Sequence, residues 1–246
     1  MSGAAGGAHG ASAKAQAPDR ERRIVALVAA KDEAGRIGPC VRALRALAQE
    51  VVVIDDGSGD ATAAEASEAG ATVLRTGRRT GKGGALEGAL RRLGAADLWL
   101  LVDGDLGATA SNLTPLLEAV DSGVADLAIA VLPAARAGGF GIVKRFAAHL
   151  IRGQTGFRAS EPLSGQRALS SKAMEAVRPL AGGFGVETAM TIDAVRAGVR
   201  VVEIPIQGLE HRPTYRTPRG FLHRGRQGWD IARAVLPRIF WSRIVR

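Results

Sequence analysis

The stretch Leu98-Trp99-Leu100-Leu101-Val102-Asp103-Gly104-Asp105 decides the fold. An apolar run of strand length stops abruptly at two carboxylates separated by one glycine. Buried against helices, such a run forms a parallel strand whose carboxyl end presents Asp103 and Asp105, and open α/β sheets hold their ligands at that edge. Paired oxygen donors suit Mg²⁺ or Mn²⁺, and an ion of that kind can bridge to a diphosphate. The segment therefore implies an enzyme acting on an activated, phosphate-linked substrate.

The pattern extends in both directions from this strand. Ile24 to Ala30 is a compact apolar run ending in Lys31-Asp32-Glu33, and Arg36 to Gln49 follows with Ile37, Val41, Leu44 and Leu47 at helical spacing. Val51 to Ile54 is a β-branched strand closed by Asp55-Asp56-Gly57-Ser58-Gly59-Asp60. Asp60 is suited to cap a helix running to Glu68, which Gly70 ends. Ala71 to Arg75 is a third strand, before a basic loop at Gly77 to Gly83 and a helix from Gly84 to Leu93. Beyond the central strand, a helix at Asn112 to Val120 precedes a strand at Asp126 to Leu132. A glycine-containing loop from Ala134 to Gly141 leads into a helix at Ile142 to Arg152. A short strand at Gln166 to Leu169, a helix Lys172 to Val177 capped by Ser171, a helix Val186 to Ala197 and a strand Val199 to Ile206 complete the series. Alternation of this kind predicts an α/β fold with a mostly parallel central sheet flanked by helices.

Composition sets the bounds. With 246 residues and 46% hydrophobic content the chain can bury a substantial core. A lone Cys40 cannot form an internal disulfide, which predicts a reducing compartment. No apolar run approaches the roughly 18 to 20 residues that span a bilayer. Residues 1–20 read as a Gly/Ala-rich disordered tail, 21–210 as the catalytic domain and 211–246 as a basic extension. From Arg212 to Arg246 there are nine arginines and one acid, Asp230, a balance that attracts phosphate-bearing partners. Aromatics make up only 4% of the chain and no nucleic-acid motif is present, so nucleic acid is not the expected partner.

Four strand ends carry polar groups: Asp32/Glu33, Asp55/Asp56/Ser58, Asp103/Asp105 and Glu210/His211. Parallel strands gather such ends around one crevice. Asp105 is the first choice to bridge metal and diphosphate, with Asp103 nearer a ribose or also in the metal shell.

The ordered motifs Ile54-Asp55-Asp56-Gly57-Ser58-Gly59-Asp60, Gly81-Lys82-Gly83-Gly84-Ala85-Leu86 and Val102-Asp103-Gly104-Asp105-Leu106 resemble the GT-A nucleotide-sugar glycosyltransferases. The likeness is greatest to family 2, which includes the polyprenyl- and dolichyl-phosphate sugar transferases, and it covers about Ile24 to Ile206. By that resemblance the fold is a Rossmann-like GT-A domain. Asp32, Glu33, Asp55, Ser58, Lys82 and Asp103 contact the nucleotide, and Asp103 and Asp105 match the metal-binding motif. Leu163-Ser164-Gly165-Gln166-Arg167-Ala168-Leu169 matches a region on the acceptor side. Ser164, Gly165, Gln166 and Arg167 are thus acceptor-binding candidates, although Gln166 replaces an aromatic often found in the polyprenyl-phosphate enzymes. Phe184-Gly185-Val186-Glu187 ends in an acid close to the reacting sugar, making Glu187 a catalytic candidate with Asp105. A second resemblance, to the retaining GT-A enzymes related to glucosyl-3-phosphoglycerate synthase, makes His211 a third metal ligand.

The expected activity is metal-dependent transfer of a sugar from UDP-sugar or GDP-mannose to an anionic acceptor, either a polyprenyl phosphate or a small phosphorylated molecule. The expected cofactor is Mg²⁺ or Mn²⁺. Arg212 and Arg216 are placed to meet the acceptor phosphate. The segment Gly228 to Arg246 interleaves Trp229, Ile231, Val235 and Trp241 with arginines, and so suits either packing on its own domain or a partner copy, or contact with a membrane surface. These features predict a cytoplasmic protein, peripheral at the inner membrane face if that contact forms. A same-fold nucleotidyltransferase and a non-catalytic sugar-nucleotide-binding protein are the alternative readings.

Overall fold

The computed structural model describes residues 22–76, 81–132, 141–211 and 229–238. Its strands are β1 (Ile24–Ala30), β2 (Glu50–Asp55), β3 (Thr72–Arg75), β4 (Leu98–Asp103), β5 (Leu127–Val131), β6 (Arg167–Ser170) and β7 (Val201–Pro205). The helices are α1 (Ile37–Leu44), α2 (Thr62–Glu68), α3 (Gly81–Leu90), α4 (Thr114–Asp121), α5 (Gly141–Thr155), α6 (Ser171–Val177) and α7 (Val186–Arg196). The strands form one sheet in the order β3-β2-β1-β4-β6-β5-β7. All pairings are parallel except those of β6, which runs antiparallel to both β4 and β5. The sheet is thus the expected α/β, mostly parallel arrangement.

Every residue of β4 before Asp103 is buried, because the strand lies in the middle of the sheet with helices on both faces. Leu100 and Val102 join Ala26, Val28, Ile37, Val41, Leu44, Leu113 and Leu116 on one face. Trp99 and Leu101 join Val25, Leu27, Val52, Ile54, Leu86, Met174 and Met190 on the other. Side chains of this size each contribute about 1.5–3 kcal/mol on full burial. A third cluster, Ala147, Ile151, Ile192, Ile231 and Val235, joins α5 and α7 to the helical residues 229–238.

Register is what positions the site. Ala29 pairs with Asp103, and Ala30 pairs with Asp55. The carboxyl ends of β1, β2 and β4 are therefore level, and the acidic ends lie along one edge. Gly104 is small for a local reason: a Cβ there would lie 3.1 Å from Ala30 Cβ and 3.2 Å from Ile37 Cδ1.

Some local expectations differ from the structure. The segment Gly104–Leu113 is a 3₁₀ run broken at Gly107, whose φ of 57° interrupts the helical geometry. Helix α1 ends at Leu44 instead of continuing to Gln49. The cap of α6 is Ser170, not Ser171: Ser170 is the extended residue, and its hydroxyl accepts from Ala173 N. Among the described residues no helix is long and apolar enough to cross a membrane.

Glu87 shows how the helical layer is fastened. Its buried carboxylate accepts from Arg178 Nη2 at 3.0 Å, from Leu180 N at 3.1 Å and from Arg91 Nε at 3.2 Å, tying α3 to the segment after α6. Burial pushes the carboxyl upward, but Arg178, Leu180 and Arg91 outweigh it and hold it below the ordinary glutamate range. A depressed carboxyl stabilises the fold above the unfolded pKa of about 4.3 and loses that contribution as pH falls through the lower folded value. Glu87→Gln is expected to melt below the wild type at pH 7, with the gap closing as the buffer is taken below the unfolded pKa. Thermal melts across that range check it, and a gap independent of pH would contradict it.

Candidate active site

Along the carboxyl edge lies a cleft of about 1050 Å³ lined by the ends of β1, β2 and β4, the start of α3, the Gly182–Phe184 turn and the helical residues 229–238. At its floor Lys82, in the first turn of α3, bridges two carboxylates. Lys82 Nζ is 2.5 Å from Asp103 Oδ1 and 2.7 Å from Glu187 Oε1, the latter from the first turn of α7. Burial alone would lower the Lys82 pKa, but Asp103 and Glu187 more than offset it, so the amine is held above its ordinary range. Burial likewise works to raise Asp103, and Lys82 and Gln166 overcome it to keep the carboxyl below its ordinary range.

The amide of Gln166 grips Asp103 from the other side. Gln166 Nε2 donates to Asp103 Oδ2 at 3.1 Å, and Asp103 N donates to Gln166 Oε1 at 3.4 Å. This contact exists because β6 is antiparallel, so its beginning meets the end of β4. A Cβ on Gly165 would overlap both the Asp103 carboxylate and Lys82 Nζ, so only glycine admits the pair there.

Asp105 stands one residue beyond Gly104, with its Oδ1 3.2 Å from His211 Nδ1. Burial would lower the imidazole pKa, but Asp105 reverses that and raises it. Arg36 Nη1 donates to the Asp105 carbonyl at 2.9 Å, fixing the backbone at this point. Two donor atoms about 3 Å apart match neighbouring corners of an octahedral ion with bonds of about 2.1 Å. Asp105 and His211 therefore fit a divalent cation. Among the described residues no group of three His, Cys, Asp or Glu side chains is arranged to hold a metal. Asp103 has its two oxygens on Lys82 and Gln166, and of the expected Asp103, Asp105 and His211 set it is Asp105 and His211 that stand side by side. Mg²⁺-type sites with one or two protein ligands are completed by substrate phosphates and water.

The nucleotide-binding candidates divide into two groups. Glu33, Lys82 and Asp103 line the cleft. Asp32, Ser58 and Asp55 stand behind it and shape its loops. Asp32 Oδ1 accepts from Gly59 N at 2.8 Å, and Asp32 N donates to Ser58 Oγ at 2.9 Å, latching the β1 loop to the β2 loop. Asp55 is 1% exposed, accepts from Ser58 N at 2.8 Å and pairs with Arg75 Nε at 3.1 Å. It is Asp56 that lines the cleft, accepting from Thr76 Oγ1 at 2.8 Å and from Gly81 N at 3.2 Å. The reason is the end of the strand: Asp55 is still within β2 and turned inward, whereas Asp56 has left it.

The acceptor-side candidates lie deeper in the fold. Ser164, Gln166 and Arg167 are all buried, Arg167 because it opens β6, which lies between two strands in the sheet, and the other two in the segment that leads into it. Arg167 is 0% exposed; its Nε donates to Ser164 O at 2.8 Å and its Nη1 to Thr191 Oγ1 at 3.0 Å. Burial pushes its guanidinium down to about 10, against the opposing pull of Glu187, Glu203 and Asp103. Through Gln166, which holds Asp103, this segment backs the Lys82 bridge. Glu187 is also buried and outside the cleft lining, placed as the partner of Lys82. Arg212 and Arg216 lie outside the described residues. Lys31, Phe184, Asp230 and Arg233 also line the cleft without having been expected as site residues, and Asp56 does so where only its place at a polar strand end pointed to it. Asp230 carried one usable signal, as the single acid in an arginine-rich segment.

Comparison with known proteins adds the family context. Residues 26–173 match the family model for glycosyl transferase family 2. The glycosyltransferase AglJ of Haloferax volcanii is 34% identical over 165 residues, covering 63% of this chain and 52% of its own length. The chain thus spans about half the length of that curated relative. Glucosyl-3-phosphoglycerate synthase of Mycobacterium tuberculosis in complex with phosphoglyceric acid superposes with a TM-score of 0.74 at 24% identity, covering 88% of this chain and 80% of that one. The same enzyme in complex with Mg²⁺ and UDP gives 0.73 at 25% identity, with coverages of 88% and 79%. In complex with Mn²⁺, UDP-glucose and phosphoglyceric acid it gives 0.71 at 24% identity, with coverages of 88% and 79%. These likenesses establish a shared GT-A fold.

Proposed function

The chain belongs to glycosyl transferase family 2, and from that membership we propose that it transfers a sugar from a nucleotide-diphosphate sugar to an anionic acceptor. The observation that carries this reading is the Asp105–His211 pair beside the Asp103–Lys82–Glu187 bridge, with Lys82, Asp103 and Asp105 lining one cleft. A UDP-sugar is preferred over GDP-mannose as donor. The M. tuberculosis synthase of the same fold, in complex with Mn²⁺ and UDP-glucose, supports that preference. That enzyme's complex with phosphoglyceric acid and the nine arginines from Arg212 onward both favour an acceptor bearing phosphate.

In this mechanism the bond from the anomeric carbon to the diphosphate oxygen breaks, and its electron pair leaves on the diphosphate. Lys82, kept protonated by Asp103 and Glu187, presents fixed positive charge where that negative charge develops. Glu187 positions Lys82, and Gln166 holds Asp103 in place for the ribose side of the donor. Asp105 and His211 would hold a divalent ion, which when bound neutralises diphosphate charge. Imidazole beside carboxylate suits Mn²⁺ at least as well as Mg²⁺. An acceptor oxygen forms the new bond to the anomeric carbon. A phosphate oxygen is already anionic near pH 7 and needs no dedicated base, whereas a hydroxyl gives up its proton to the departing diphosphate.

A panel of UDP- and GDP-sugars with Mn²⁺ or Mg²⁺ tests the reading, with phosphoglyceric acid, a polyprenyl phosphate and a neutral sugar as acceptors. Metal-dependent release of the nucleoside diphosphate, accelerated by a phosphorylated acceptor, is expected. Transfer only to the neutral acceptor would overturn the acceptor class. Nucleotide binding with no transfer or donor hydrolysis would favour a non-catalytic role.

A further inference from the structure

The helical residues 229–238 lie beyond the family match, which ends at residue 173, yet they form one wall of the cleft. One side of this helix is anchored. Ile231 and Val235 pack with Ala147, Ile151 and Ile192. Arg238 Nε contacts both oxygens of Asp193, at 2.8 and 2.9 Å, and Arg196 Nη1 donates to Arg238 O at 2.9 Å. Asp230, Arg233 and Ala234, spaced i, i+3 and i+4, share another face and line the cleft.

Contacts on that face are close because glycines permit them. A Cβ on Gly185 would lie 2.7 Å from Asp230 O and 2.5 Å from Ala234 Cβ. One on Gly183 would lie 2.8 Å from Asp230 Oδ2, and one on Gly81 would lie 3.1 Å from Gly183 Cα. The helix thus rests on the Gly182–Gly185 turn, which rests in turn on the start of α3, where Lys82 sits. Asp230 Oδ2 also accepts from Phe184 N at 3.4 Å, fixing the turn to the helix. Arg233 differs from its neighbours: it is exposed, and among the described residues it has no ion-pair partner.

We propose that this helix completes the substrate cleft and that Arg233 binds a phosphoryl group of a bound substrate, an assignment that rests on the nucleotide-sugar reading above. A guanidinium offers paired donors that match two phosphate oxygens, and here its backbone is held by the anchored helix. The phosphoryl group belongs either to the donor diphosphate or to the acceptor phosphate, and two binding measurements separate these sources.

The test uses the full chain with Arg233→Met and Arg233→Lys. Calorimetry measures the affinity for UDP with Mn²⁺, and separately for phosphoglyceric acid in the presence of UDP and Mn²⁺. Arg233→Met is expected to weaken one of the two by about tenfold or more, with Arg233→Lys recovering part of the loss. Its melting temperature should stay near that of the wild type, because an exposed side chain with no ion-pair partner among the described residues supports little of the fold. Weakened UDP binding assigns Arg233 to the donor diphosphate. Unchanged UDP binding with weakened phosphoglyceric acid binding assigns it to the acceptor. Both affinities within twofold of wild type would overturn the Arg233 assignment while leaving the transfer reading intact. A wild-type chain that does not bind UDP with Mn²⁺ would overturn both.

Discussion

Asp105→Ala is expected to lower metal-dependent turnover of the donor sugar by about 10³-fold. The size follows from what Asp105 contributes. It is the carboxylate of the two-residue pair with His211, and no third described His, Cys, Asp or Glu side chain completes a cluster that could take over. The melting temperature should fall by no more than about 3 °C, since the side chain lies at the rim of the core. An independent readout is the imidazole of His211. Burial lowers its pKa and Asp105 raises it, so removing the carboxylate should shift the His211 titration toward lower pH in the metal-free protein. Turnover with an unchanged Mn²⁺ dependence would sink the assignment of Asp105, whatever happened to stability.

Lys82→Met carries the second large effect, and it acts on the fold as well as on the chemistry. The amine sits between Asp103 and Glu187, and its loss leaves two carboxylates facing each other with no cation between them. Removing one partner from a buried charge cluster costs about 3–5 kcal/mol. For a chain of this length that is a fall of roughly 10 °C in melting temperature. Pairing it with Glu187→Gln should recover part of the stability, because the second substitution removes one of the stranded charges. Activity should not return in the double variant, since in the proposed mechanism Lys82 supplies the positive charge at the leaving group. Additive losses of stability in the double variant would show that the two side chains are not coupled, and would refute the bridge.

Much of the architecture was legible in the linear pattern. Leu98 to Val102 and Val51 to Ile54 are apolar at every position, as only doubly covered strands are, and the glycines and acids that follow mark where each stops. Asp103, Asp105 and His211 could be named as strand-end groups because parallel topology collects such ends, whereas Lys82 and the metal role of His211 came from the family resemblance. Less legible was which member of a motif lines the cleft. Asp55 and Asp56 are adjacent and chemically identical, and only the last pairing of β2, Asp55 with Ala30 and Arg75, turns one inward and leaves the other at the cleft.

Local sequence thus determined the order of strands and helices and the identity of the acidic edge, because burial periodicity and turn chemistry are properties of neighbours along the chain. Tertiary structure alone decided the antiparallel insertion of β6, which buries Arg167 and brings Gln166 onto Asp103. It also decided that Asp230 and Arg233, more than 120 residues from Asp105, share its cleft. Contacts between segments so far apart depend on sheet order, strand direction and the close approach that glycine permits, and none of these is written in the spacing of adjacent residues.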